Sequence, residues 1–303
     1  MRDTSAFHPE LRKAAKWLPR RLPTRVIVPL DRFGKRVARL RKPRGEVVDV
    51  GPIRVYVHRP QRASSQPLPA LLWIHGGGLV MGSPNQDAAR LRSLADELGI
   101  VVAAVAYRLA PQHRFPTAVD DCHAALLWLA QQPGIDGSRI AIGGASAGGG
   151  LAAALALVAR ERGEVAPVAQ ILVYPMLDDR TCLRTDLDDE RNFRMWTNQA
   201  NRFGWESYLG VPPGSEGVSS LAAPARHDDL GGLPPAWLGI GTLDLFHDET
   251  VAYAERLRAA GVDTELVVVE GAFHAFDIAR NAQVVKDFNA SQARALERAC
   301  APA

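Results

Sequence analysis

The spacing of apolar positions changes near residue 46. Before it, basic residues are interleaved with Trp17, Leu18, Val26, Ile27 and Leu30; after it, short apolar runs alternate with segments of helical period. The runs predict strands at 46–50, 53–59, 70–74, 101–107, 140–143, 169–174, 236–240 and 265–269. Helices are predicted at 87–98, 118–131, 147–162, 248–260 and 284–299. Gly51-Pro52 reads as the turn of a hairpin between the first two strands. The later alternation is that of an α/β fold, a mostly parallel eight-stranded sheet with crossover helices. The rhythm breaks between about 178 and 217, a polar stretch that carries Phe193, Trp196, Phe203, Trp205 and Tyr208. A connection of that length is expected to be an inserted helical cap. The predicted organisation is thus a cap arm at 1–45 and one large domain at 46–303 with a cap insertion at about 178–217.

Length and composition narrow this picture. A chain of 303 residues, 47% hydrophobic and 23% charged, fits one large folded domain and excludes disordered or fibrous classes. Cys122, Cys182 and Cys300 are scattered and odd in number, which excludes a disulfide framework and a zinc spacing and makes the cytoplasm the expected location. A transmembrane segment is not expected, because apolar runs stay far below the length that spans a bilayer.

The net charge of +3 hides an asymmetry, since residues 1–45 hold fourteen Lys and Arg against three Asp and Glu. The interleaving of those bases with apolar residues favours helices of a lid with a solvated face. Weak contact of the arm with an anionic membrane surface is the second reading, and nucleic acid is not an expected partner.

The chemistry concentrates in three places. Gly144-Ala145-Ser146-Ala147-Gly148 lies between the run Ile140-Ala141-Ile142 and a helix with Leu151, Leu155 and Val158 on one face. Ser146 therefore sits at a strand-to-helix turn, where bulky neighbours would clash and the helix N-terminus is aimed at the hydroxyl; this makes it the candidate nucleophile. The segment lacks the Lys of a phosphate-binding loop.

His75-Gly76-Gly77-Gly78 follows the apolar strand ending at Ile74, and its glycines allow backbone N–H groups to approach a substrate. The amides of Gly77 and Gly78, with that of Ala147, are the expected oxyanion donors, and His75 is expected to brace the loop.

His274 follows the last predicted strand and Asp244 the one before it, so base and acid come in the chain order Ser146, Asp244, His274. Asp248 is a second candidate acid, but its place suits the cap of the following helix. His247 reads as a partly exposed residue at that helix start. No metal is expected, in the absence of a His-Glu-x-x-His motif; Asp120-Asp121-Cys122-His123 reads as a capped helix with a buried cysteine. No cofactor is expected either, in the absence of a dinucleotide glycine motif.

In combination these segments resemble the hormone-sensitive lipase family of α/β-hydrolases, in its bacterial carboxylesterase branch. The resemblance rests on His75-Gly76-Gly77-Gly78, Tyr107-Arg108-Leu109-Ala110-Pro111 with Phe115-Pro116, Gly144 to Gly149, Leu243-Asp244-Leu245 with Asp248-Glu249, and Gly271-Ala272-Phe273-His274. It implies a serine esterase acting on small esters of short- to medium-chain acids without a cofactor, under a cap built from the arm and the insertion after Tyr174-Pro175. It also implies pairing as a homodimer through the last strand or helix. The chain departs from the family at Ala145, where Asp or Thr is usual, and at Gln112, where Glu is frequent. Leu79, Leu183, Phe193 and Trp196 are the expected pocket walls. A non-catalytic binding protein on the same scaffold is the reading from another class, and His274 beside Ser146 argues against it. Lactone opening or amide deacetylation would use the same three groups, because the cap sets the substrate.

Overall fold

A computed structural model of the chain describes residues 4–302 apart from 22, 25, 32–44, 63 and 188–191. Much of the predicted arm, and the middle of the predicted insertion, lie outside the described residues.

Eight strands form one sheet: β1 (Glu46–Val50), β2 (Ile53–His58), β3 (Leu68–Ile74), β4 (Val101–Ala106), β5 (Ile135–Ala145), β6 (Gln170–Val173), β7 (Ala236–Leu243) and β8 (Thr264–Phe273). Their order is β1-β2-β4-β3-β5-β6-β7-β8. The predicted hairpin is present, with Val50 opposite Ile53, and β2 also runs antiparallel to β4. From β4 to β8 all neighbours are parallel. The helices used below are α1 (Arg12–Trp17), α2 (Ala88–Leu98), α3 (Thr117–Ala130), α4 (Ala147–Arg162), α5 (Asn198–Leu209), α6 (His247–Ala259) and α7 (Gln283–Ala299).

The central strands explain their place by composition. β4 reads VVAAVA and β3 ends in ALLWI, continuous apolar runs that suit burial on both faces under crossover helices. α4 is buried from Ala147 through Ala159, and its glycines let it lie against the sheet. A β-carbon on Gly148 would stand 2.0 Å from the Ile74 carbonyl oxygen, so only glycine fits there. β4 and β5 leave β3 on opposite sides, so a crevice opens at the carboxyl ends of β3 and β5, where ligands bind in open α/β sheets.

Three departures from the sequence pattern matter. β5 starts at Ile135, which pairs with Leu68 five residues before the predicted run, and reaches that run through a polar DGSR stretch. The irregular chain between β6 and β7 runs over 174–235 and holds 3-10 turns at Asp179–Leu183 and Pro224–Arg226 besides α5. In the arm, Leu11, Ala15 and Val28 are buried, whereas Trp17, Val26 and Leu30 are 79%, 58% and 64% exposed. The arm is anchored by backbone atoms: His8 N–H donates to Gly271 O at 3.0 Å and Met195 N–H to Pro19 O at 3.0 Å. Arg194 Nε donates to Ala15 O at 2.6 Å.

Candidate active site

β5 ends at Ala145 and α4 begins at Ala147, leaving Ser146 alone in the bend with φ 57° and ψ −121°. That backbone is strained for a residue with a β-carbon and is held by Ser146 N–H donating to Val173 O at 2.8 Å. Gly144 is needed as much as Gly148: its β-carbon would meet Gly148 O at 2.3 Å and Ile74 O at 2.6 Å. The sharp turn brings Ser146 Oγ to 2.9 Å from His274 Nε2. His274 Nδ1 lies 2.8 Å from Asp244 Oδ2. An ionised carboxylate only accepts, so the proton belongs on Nδ1 and the lone pair of Nε2 faces the serine.

Asp244 and His274 come from the carboxyl ends of β7 and β8, adjacent strands in the sheet. The Asp244 side chain is fully buried, and its Oδ1 accepts from Phe246 N–H at 3.0 Å. The imidazole is met by two rings at steep angles, Tyr174 at 4.9 Å and Phe246 at 5.3 Å between centroids. Neither ring, nor Asp277 beyond Tyr174, was among the residues singled out from the sequence for the site. Adjacency gave the available signal: Tyr174-Pro175 closes β6, and Asp277 stands three residues after His274.

The alternative acid is placed elsewhere. α6 starts at His247, one residue before the predicted start, so Asp248 lies in its first turn and does not cap it. Its carboxylate pairs with His247 Nδ1 at 2.9 Å and Arg184 Nη1 at 2.7 Å. The neighbouring Glu249 is buried: it accepts from Leu177 N–H at 2.7 Å and bonds the Thr181 hydroxyl, tying the start of the 174–235 segment to α6. Burial pushes its carboxyl well above the usual carboxylate range.

The glycine loop after β3 turns back on itself, Val80 and Met81 N–H donating to Gly77 O at 3.2 and 3.1 Å. Gly77 and Gly78 have φ of 125° and 59°. His75 is buried, stacked on Tyr107 at 4.3 Å, with Nδ1 2.7 Å from Gly76 O, and Tyr107 OH donates to His75 O at 3.0 Å. Ala147, as the first residue of α4, has no intrahelical partner for its N–H.

Of the expected pocket walls, Trp196 is buried with its six-membered ring on Gly78, and Leu79 is buried in the same loop. Phe193 is partly buried and packs against the core. Leu183 is 48% exposed and abuts Gly214, so its environment is a surface turn. Asp121, in the stretch read as a helix cap, lies within α3 and binds Arg108 through Nε at 3.0 Å and Nη2 at 2.7 Å; Cys122 beside it is buried. Among the described residues, no three His, Cys, Asp or Glu side chains cluster as metal ligands, and no helix is long and apolar enough to cross a membrane.

A serine at a strained strand-to-helix bend, with a carboxylate and a histidine delivered by the last two strands of a mostly parallel sheet, defines the α/β-hydrolase class. Residues 71–278 match the family model described as alpha/beta hydrolase fold. The chain is 37% identical over 229 residues to an ethyl acetate hydrolase of Pseudomonas putida, covering 74% of this chain and 71% of that one. It is 36% identical over 230 residues to carboxylesterase NlhH of Mycobacterium tuberculosis, covering 71% and 67%. A solved bacterial heroin esterase superposes with a TM-score of 0.85 at 37% identity over 99% of both chains. The chain belongs to the hormone-sensitive lipase family of α/β-hydrolases and is a carboxylic ester hydrolase.

Proposed function

We propose that Ser146, His274 and Asp244 carry out the hydrolysis, acting on small esters of short- to medium-chain acids. Ser146 Oγ attacks the ester carbonyl carbon as its proton passes to His274 Nε2, and the carbonyl electron pair moves onto oxygen. Asp244 holds the imidazole tautomer and balances the imidazolium charge. The oxyanion is received by the N–H groups of Gly77, Gly78 and Ala147, each such donor being worth roughly 3 kcal/mol in other enzymes. As the C–O bond breaks, His274 returns the proton to the departing alcohol, leaving an acyl group on Ser146. Water gives its proton to His274 as it attacks the acyl carbon, and His274 returns that proton to Ser146 Oγ as the bond to the acyl group breaks and the acid leaves.

The observation that carries this reading is the unbroken path from Ser146 Oγ through both ring nitrogens of His274 to Asp244 Oδ2. The family relationship and the ester-hydrolase names of the relatives support it. Trp196 over the oxyanion loop and Leu79 within it are the favoured pocket walls. The arm and the insertion are assigned as cap, the location as cytoplasm and the assembly as a homodimer. Exposed Trp17 beside Lys13 and Lys16 favours an added weak contact of the arm with an anionic membrane surface. The test is turnover of p-nitrophenyl esters from acetate to laurate by the parent and by Ser146→Ala. Turnover that is highest on the shorter chains and lost in the variant is expected; undiminished turnover by the variant contradicts the assignment.

A further inference from the structure

Tyr174 is a residue with two anomalies. It has φ 35°, in the left-handed region that residues with a β-carbon rarely occupy, directly after β6. It is also buried with a polar hydroxyl, which donates to Asp277 Oδ1 at 2.9 Å. Its backbone N–H donates to Gly239 O at 2.7 Å, so both ends of the residue are fixed. The ring between them meets the His274 imidazole at 4.9 Å and 63°. Strain held in place by flanking bonds next to a reacting group points to a function for the residue that bears it.

Asp277 is fixed in turn. Its Oδ2 lies 3.8 Å from Arg90 Nη1 of α2, and that guanidinium stands 5.4 Å over the Trp73 ring and bonds Gln292 of α7. The carboxylate that anchors Tyr174 thus stands on the loop that carries His274, and Arg90 ties it to elements packed on the sheet. We infer that Tyr174 and Asp277 form a positioning pair, in which the anchored phenol ring keeps the His274 imidazole aligned between Ser146 and Asp244. This rests on His274 being the base proposed above. A mobile imidazole would lose part of the alignment on which proton transfer depends, without loss of substrate contacts.

The test compares Tyr174→Phe, which keeps the ring and removes the hydroxyl, with Asp277→Ala and Asp277→Asn. All are assayed on p-nitrophenyl acetate per active site titrated with an organophosphate. Tyr174→Phe and Asp277→Ala are expected to lower kcat about tenfold with KM within about twofold, and Asp277→Asn, which keeps an accepting oxygen, to return to within about twofold of the parent. A parent-like kcat per titrated site in the first two variants would overturn the inference, since a merely structural role would lower thermal stability and the number of active sites alone. A change confined to KM would overturn it too, by making Tyr174 a wall of the substrate pocket. His274→Ala separates the two levels. If it retains full activity, the base assignment fails; if it is inactive while Tyr174→Phe matches the parent, the positioning pair alone fails.

Discussion

The indole of Trp196 lies so close over Gly78 that a β-carbon on Gly78 would stand 2.1 Å from its Cη2 atom. The segment between β6 and β7 and the glycine loop after β3 are therefore in direct contact, and the loop owes its shape partly to the missing side chain. Gly78→Ala should push the indole aside and disturb a backbone already at φ 59°. With one oxyanion donor displaced, kcat should fall about 100-fold. Adding Trp196→Ala removes the clash but leaves the unfavourable φ, so the double variant should recover in part. Steady-state kinetics on p-nitrophenyl acetate read both, and full activity of Gly78→Ala would remove Gly78 from the oxyanion site.

Glu249 links stability to pH. Burial raises its carboxyl well above the ordinary glutamate range. An acid whose folded pKa is raised binds its proton more tightly in the folded chain, so its contribution is full below the unfolded value and is lost as pH rises through the folded one. Glu249→Gln resembles the protonated form and can still accept from Leu177 N–H while donating to Thr181. The melting temperature of this variant should match the parent near pH 4.5 and exceed it increasingly as pH rises. A difference that stays constant or shrinks with pH would contradict this.

Arg108 and Asp121 are unequally buried, at 35% and 3% side-chain exposure. Arg108→Leu strands a buried carboxylate with the Arg108 backbone N–H as a remaining donor at 2.8 Å, and should cost about 3 kcal/mol. Asp121→Leu leaves a guanidinium that can turn toward water, and should cost less. Chemical denaturation at constant m-value gives the order, and equal or reversed costs would contradict it.

On α1, Lys13, Lys16 and Trp17 share the exposed face while Leu11, just before the helix, and Ala15 are buried in the protein. Tryptophan among lysines on one helix face suits a headgroup surface. The chain should co-sediment with phosphatidylglycerol vesicles, less with phosphatidylcholine, and be released by about 0.5 M salt. Trp17→Ala should weaken retention; retention untouched by both salt and Trp17→Ala would leave the arm as a solvated lid.

Local pattern made most of the framework legible. Each of the eight strands was marked by an apolar run, and Ser146, Asp244 and His274 each come within five residues of the end of such a run and directly after the strand it marks, so their place at one sheet edge follows from chain order. What escaped depends on tertiary contact. Tyr174 reads as the end of a strand, and its link to Asp277 spans 103 positions. Glu249 looks like one more charge in a helix start until Leu177 and Thr181 enclose it. Leu183, an expected pocket wall, and Trp17 in the arm are both exposed, because hydrophobicity records a preference for burial and not whether a partner is present. The helix starts at His247 because the chain already turns at Asp244, which receives the N–H groups of Phe246 and His247, so that Phe246 stands at the cap without a side-chain bond.

The central claim concerns the atom that attacks. An organophosphate such as diisopropyl fluorophosphate, followed by peptide mapping in a mass spectrometer, tests it without assuming a substrate. The account predicts one phosphoryl adduct per chain, on Ser146, abolished in Ser146→Ala and formed far more slowly in His274→Ala. An adduct on another residue, or inactivation of the Ser146→Ala variant at the parent rate, would contradict it.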